Sequence, residues 1–178
     1  MKILLAFISA FFLSNMLVAQ NFKLKECVVI GQFDKPEDRY AIEVTFCELF
    51  NALKVKAVPS SNYLKQGSGI TTLLSDSLMN DLTHKGFSTY CLINVKGYDK
   101  RFKKSVLLPG FDEALERASI YNLYKDDIAS VTLEFIFYQN KTAVYSDVFK
   151  ISNIGERDDV IKRIKKKAPK YILKNWNL

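Results

Sequence analysis

The residues of this sequence whose types and spacing could do chemistry gather after two short apolar runs. Asp34 follows the run Cys27–Phe33, with Arg39 and Glu43 shortly beyond it, and Ser60 and Ser61 follow the run Val55–Val58. Carboxylates beside hydroxyls can transfer protons in a hydrolysis, provided the fold brings them within hydrogen-bond reach of one another. Arg39 and Glu43 also stand four apart, the spacing of an ordinary ion pair along a helix surface.

Other chemistries are disfavoured by what the chain does not contain. With one histidine, His84, zinc sites built on histidine clusters and a second catalytic histidine are excluded. The sequence has no Gly-x-Gly-x-x-Gly after a strand, no phosphate-binding Gly-x-x-x-x-Gly-Lys-Ser/Thr, no Gly-x-Ser-x-Gly and no His-Glu-x-x-His, which disfavours nucleotide binding, serine hydrolases and zinc proteases. Gly67-Ser68-Gly69 reads as a flexible loop, Asp112-Glu113 and Asp126-Asp127 as solvated turns, and His84 as the end of a helix closed by Gly86. No metal and no cofactor is expected.

The elements that must position these residues can be read from hydrophobic period. Cys27–Phe33 reads as a buried strand ending at Asp34-Lys35-Pro36. Asp38 is a plausible helix cap, and from Arg39 the residues Ile42, Phe46, Leu49, Phe50 and Leu53 recur at helical spacing. Val55–Val58 is a second strand stopped by Pro59, Thr71–His84 a second helix, and Ser88–Val95 a third strand. Strands that alternate with helices are parallel, with right-handed crossovers, in the order 2-1-3. Residues 97–129 show no clear period apart from a helical turn over Glu113–Ser119, and a connection of that length is functional or mobile. Val131–Tyr138 and Ala143–Ile151 alternate around Asn140-Lys141 and form an antiparallel hairpin. Arg157 to Trp176 reads as a final helix with Ile161, Ile164, Ala168 and Ile172 on one side and a kink at Pro169. The expected fold class is therefore α/β: a single three-layer-like domain, its parallel strands extended by the hairpin, helices on the sheet faces and a basic C-terminal helix. Any ligand belongs outside the carboxyl ends of the first strands, flanked by Asp34, Arg39, Glu43, Ser60 and Ser61.

Composition and charge set the compartment and the partners. The 178 residues are 48% hydrophobic and 25% charged, which fits one globular domain. Lys2, the apolar run Ile3–Leu13 and Ala19 before Gln20 have the layout of a secretory signal peptide, so residues 1–19 are expected to be removed and 20–178 to form a periplasmic domain with no transmembrane span. Cys27, Cys47 and Cys91 all lie in apolar settings and read as three buried thiols, although an oxidising compartment permits one disulfide. Residues 20–156 hold 17 basic and 17 acidic side chains, whereas 157–178 hold 8 basic and 2 acidic. A surplus confined to one helix does not describe a nucleic-acid-binding domain. It fits an ordinary solvated face on a C-terminal packing helix, or else an anionic envelope surface or an acidic envelope protein met by Lys162, Lys165, Lys166, Lys170 and Lys174.

Val28-Val-Ile-Gly, Arg39-x-x-x-Glu43-x-x-Phe46, Val55-Lys-Ala-Val-Pro-Ser60, Leu133-Glu-Phe-Ile-Phe-Tyr and Ala143-Val-Tyr-Ser resemble a widespread family of exported bacterial envelope proteins, often lipoproteins. The similarity spans nearly the whole of residues 20–178, although the cysteine that anchors many members has no counterpart at the expected cut. The element order is similar to that of small periplasmic modules in the Tol translocation protein, in curli-secretion lipoproteins and in activators of penicillin-binding proteins. The resemblance implies a small periplasmic α/β domain acting by binding or assembly, as a monomer or an oligomer, rather than by catalysis. The competing expectation is a periplasmic hydrolase using the carboxylates and hydroxyls at the carboxyl ends of the first two strands.

Overall fold

The computed structural model describes residues 22–64, 68–117 and 121–178; the segment read as a signal peptide and Gly67 of the glycine loop lie outside them. Five strands form one sheet in the order β2-β1-β3-β4-β5. They are β1 (Glu26–Gly31), β2 (Lys56–Pro59), β3 (Thr89–Tyr98), β4 (Ser130–Gln139) and β5 (Thr142–Ser152). β1 runs parallel to both β2 and β3, and β3, β4 and β5 are antiparallel. The parallel order 2-1-3 extended by a hairpin is the topology that the sequence pattern implies.

Among the described residues four α-helices cover the sheet: α1 (Pro36–Ala52), α2 (Asp76–His84), α3 (Phe111–Glu116) and α4 (Arg157–Asn175). One core joins α1 and α4 to one face, through Ile42, Phe46, Phe50, Val160, Ile164, Ala168 and Ile172. A second core sits on the opposite face, where Leu82 of α2 and Phe111 and Leu115 of α3 pack on Val28, Ile30, Tyr90, Leu92 and Ile136. Because β1 and β4 carry apolar side chains to both cores, their sequences are nearly continuous hydrophobic runs rather than clean alternations.

Local corrections have physical reasons. Asp38 is not the cap of α1: Lys35 holds that position with Pro36 beginning the helix, and Asp38 is buried one turn in. The helix read over Thr71–His84 is divided, since Ile70–Leu74 is a 3-10 segment and Ser75 has extended backbone before α2. The helical turn in the long connection begins at Phe111, whose ring fills the second core, rather than at Glu113. α4 keeps Pro169 inside one helical segment, the position at which the sequence places a kink. Asn140 and Lys141 both have positive φ, 48° and 63°, as a two-residue hairpin turn with the twist of its strands requires.

Cys27, Cys47 and Cys91 are buried free thiols in the first core. Burial pushes the Cys47 thiol up to about 12, with Glu43 and Glu48 adding to it, and holds Cys27 and Cys91 well above the usual thiol range. The sheet edges are guarded: β2 is four residues long and ends in proline, while β5 carries a register shift and the inward-facing Asp147.

Candidate functional site

The carboxyl ends of β1 and β2 are closed by a buried carboxylate. Glu43 is fully buried on α1, with Ile42 and Phe46 packed beside it. Its Oε1 accepts from the Gly31 amide at 3.0 Å and from the Ser60 hydroxyl at 2.6 Å, and its Oε2 accepts from the Ser61 amide at 2.9 Å. Gly31 permits this approach: a Cβ there would stand 3.1 Å from the Arg39 carbonyl oxygen. The surface ion pair suggested by the spacing of Arg39 and Glu43 does not form, because Glu43 turns inward to satisfy backbone donors at the strand ends. Ser60 is buried and bound to Glu43, and the Ser61 hydroxyl has no hydrogen-bond partner among the described residues.

Asp34 and Arg39 lie apart from that cluster, on an open cavity of about 280 Å3 at the carboxyl end of β1. Its walls include Gln32, Thr71, Glu116 and Arg117. Arg39 is half-buried there, and no ion pair or side-chain hydrogen bond engages its guanidinium among the described residues. A smaller cavity of about 100 Å3 shares Gln32 and Arg117 with the first and continues under the second sheet face, between α3 and the segment around Ser105–Pro109. Of the five residues expected around the crevice, the structure therefore brings Glu43, Ser60 and Ser61 into one hydrogen-bond cluster and places Asp34 and Arg39 on the cavity beside it.

Sequence reasoning missed the residues that line the smaller cavity. Gln32, Asn94 and Glu134 occupy neighbouring positions on three adjacent strands: Asn94 pairs with Glu134, and Gln32 lies one step beyond the Gly31–Ile93 pair. Each follows or precedes an apolar residue of the second core at a two-residue interval, namely Ile30, Leu92 and Ile136. A polar residue in the apolar register of three strands is the signal that would have found them. Gln32 donates both amide protons, at 2.7 Å to the Ala114 carbonyl and at 2.6 Å to the Arg117 carbonyl, which ties α3 to the end of β1. Glu134, 7% exposed, receives Lys96 and the Ser105 hydroxyl on the same oxygen.

Two further buried carboxylates act as ties. Asp38 receives Arg157 Nε at 2.6 Å and the Leu123 amide at 3.2 Å, joining α1 to the start of α4 and to the long connection. Asp147 receives Tyr171 and Trp176 Nε1, each at 2.8 Å on one oxygen, and Lys104 at 3.4 Å on the other. That network fixes the end of α4 on β5; burial, with the nearby Asp147 carboxylate adding to it, pushes the Tyr145 phenol up to about 12.

The basic face of α4 points outward. Lys162, Lys165, Lys166, Lys170 and Lys174 are all exposed. Lys162 pairs with Glu156 at 3.5 Å and Lys165 with Glu48 of α1 at 3.0 Å. Lys166, Lys170 and Lys174 have no ion pair among the described residues, and neither has the neighbouring Lys167. No described helix is long and apolar enough to cross a membrane, and the described residues contain no group of three or more His, Cys, Asp or Glu able to hold a metal ion.

No family model matches the chain, and neither does any curated protein. Solved structures with a similar chain path include the PelC dodecamer from Paraburkholderia phytofirmans, at 12% identity and TM-score 0.44 over 83% of this chain and 86% of that one. Lipoprotein GNA1162 from Neisseria meningitidis aligns at 8% identity and TM-score 0.47 over 85% and 98% of the two chains. The C-terminal domain of LpoB from Salmonella enterica aligns at 10% identity and TM-score 0.40 over 78% and 91%. No residue role is carried over from any of them.

Proposed function

We propose that this chain is an exported envelope protein that works by binding and assembly, and that it meets anionic surfaces through the outward face of α4. The observation that carries this reading is the run of Lys166, Lys167, Lys170 and Lys174, exposed on α4 and unpaired among the described residues, while the helix is anchored from behind by Ile164, Ala168, Ile172 and the Asp147 network. The helix that carries these charges is fixed before contact, while each lysine stem keeps its own rotamer freedom. Each contributes about 1 kcal/mol near an anionic bilayer and fades within a Debye length, about 8 Å at physiological salt. A catalytic role for the carboxylate and hydroxyls at the first two strand ends is disfavoured by Glu43, both of whose oxygens already accept donors of the fold.

Co-sedimentation of the purified protein with anionic and with neutral vesicles, at low and high salt, tests the reading. The expected result is pelleting with anionic vesicles that salt reverses, lost when Lys166, Lys170 and Lys174 are changed to Glu without a change in melting temperature. Failure of the wild type to pellet with anionic vesicles at low salt refutes lipid contact.

A further inference from the structure

The two neighbouring cavities at the end of β1, which share Gln32 and Arg117 in their walls, lie where the strand order reverses. From β1 the chain passes through α1 to β2 on one side, then through α2 to β3 on the other, so the gap between the carboxyl ends of β1 and β3 is the place where open α/β sheets accept ligands. This chain fills that gap unusually. The second core stops at Ile30, Leu92 and Ile136, and the next position on each strand carries a polar side chain: Gln32, Asn94 and Glu134. Gln32 is 8% and Glu134 7% exposed, and all three line the smaller cavity.

The unused hydrogen-bonding groups of this row are mostly acceptors. Gln32 has spent its amide protons on α3, which leaves its carboxamide oxygen. Glu134 has its bonds on one oxygen, which leaves the other. The Asn94 carboxamide has no side-chain hydrogen bond among the described residues. At the outer cavity the unused group is of the opposite kind: the Arg39 guanidinium, half-buried and without an anion. These groups face the cavities with hydrogen-bonding capacity that the fold does not use, and a guanidinium is shaped for a carboxylate.

We infer that these cavities bind a small zwitterion, an α-amino acid or a dipeptide, with its carboxylate on Arg39 and its ammonium or amide directed to Gln32, Asn94 and Glu134. Charge decides between this class and a phosphate. The outer cavity carries Asp34 and Glu116 as well as Arg39 and Arg117, so its formal charge is balanced and a doubly charged anion would face two carboxylates. Glu134 is already paired with Lys96, so the inner row offers the ligand's ammonium or amide acceptor oxygens, while the unpaired Arg39 offers its carboxylate a cation. Volumes of about 280 and 100 Å3 suit a molecule of that size and are too small for a folded partner. The site goes beyond the α4 contact and is independent of it.

An NMR titration of the purified protein tests the assignment, using L-amino acids and dipeptides with acetate, inorganic phosphate and methylammonium as controls. At least one zwitterion should give saturable shifts with a dissociation constant between about 10 µM and 1 mM. Those shifts should centre on the amides of Gln32, Arg39, Asn94 and Arg117, and no control should bind as tightly. Arg39→Ala should weaken binding about 10- to 100-fold while the spectrum stays folded. Should that variant not fold, Arg39→Gln makes the same comparison with the helix-compatible stem kept. The assignment is overturned if no zwitterion saturates, if shifts fall elsewhere, if acetate or phosphate binds as tightly, or if affinity survives both Arg39 variants.

Discussion

Removing the Glu43 carboxylate measures whether the cluster at the strand ends is structural. In Glu43→Ala the Gly31 and Ser61 amides and the Ser60 hydroxyl lose their acceptor at once, in a site where Glu43 was fully buried. Hydrogen bonds to a charged group are worth about 1.5–3 kcal/mol each. Against them stands the relief of a carboxylate no longer desolvated, which leaves a net loss of about 3–5 kcal/mol. For a chain of this size each kcal/mol moves the melting temperature by about 2–4 °C, so a drop of roughly 6–20 °C is expected. Glu43→Gln keeps one acceptor but aims an amide group at a donor, and should cost about 1–3 kcal/mol. Urea and thermal unfolding followed by circular dichroism read both variants. The sign discriminates as well as the size: carboxylates held strained for catalysis tend to stabilise the fold when removed. A Glu43→Ala variant as stable as wild type, or more stable, would refute the structural role and return Glu43 to the catalytic candidates.

Two further outcomes follow from burial. Val29 lies fully buried on β1, between β2 and β3, so Val29→Asp places an unpaired charge in the first core and should cost several kcal/mol, at least about 3; an unchanged urea midpoint would mean that β1 is not internal to the sheet. The raised thiols of Cys27, Cys47 and Cys91 are neutral at pH 8, so a thiol reagent should label almost none in the native protein and all three after unfolding; fast labelling of any one in the native state would contradict its burial.

The order of elements was legible because period and punctuation agree along most of the chain. Pro36, Pro59, Gly86 and the Asn140-Lys141 turn each stop or start an element near where the sequence suggests, and alternating strands and helices allow little besides the 2-1-3 order. Residues 97–129 resisted reading because their hydrophobic residues serve different partners. Phe102 lies on the backbone of Gly97, where a Cβ would come within 2.2 Å of its ring, Phe111 enters the second core, and Leu123 enters the first. No single period describes such a segment. The crevice was half legible. Helical spacing puts Arg39 and Glu43 on neighbouring turns, but whether Glu43 faces water or the strand ends depends on unsatisfied amides at Gly31 and Ser61, which only the fold brings near.

The four buried carboxylates Asp38, Glu43, Glu134 and Asp147 show where this fold places its internal charge. Each lies at a junction that packing alone leaves loosely defined: α1 with α4, α1 with two strand ends, β4 with the long connection, and β5 with the end of α4. A carboxylate whose two oxygens both accept donors of the fold is held in place by them, and drawing it toward a substrate proton would compete with those bonds. Asp38, Glu43 and Asp147 are engaged in that way, whereas Glu134 has both of its bonds on one oxygen. Among these four, Glu134 leaves one oxygen without a donor from the described residues, and it lines the smaller cavity. The row formed by Gln32, Asn94 and Glu134 lies on the second-core face of the sheet, whereas α4 with its outward lysines packs on the opposite face, so variants in one leave the other untouched.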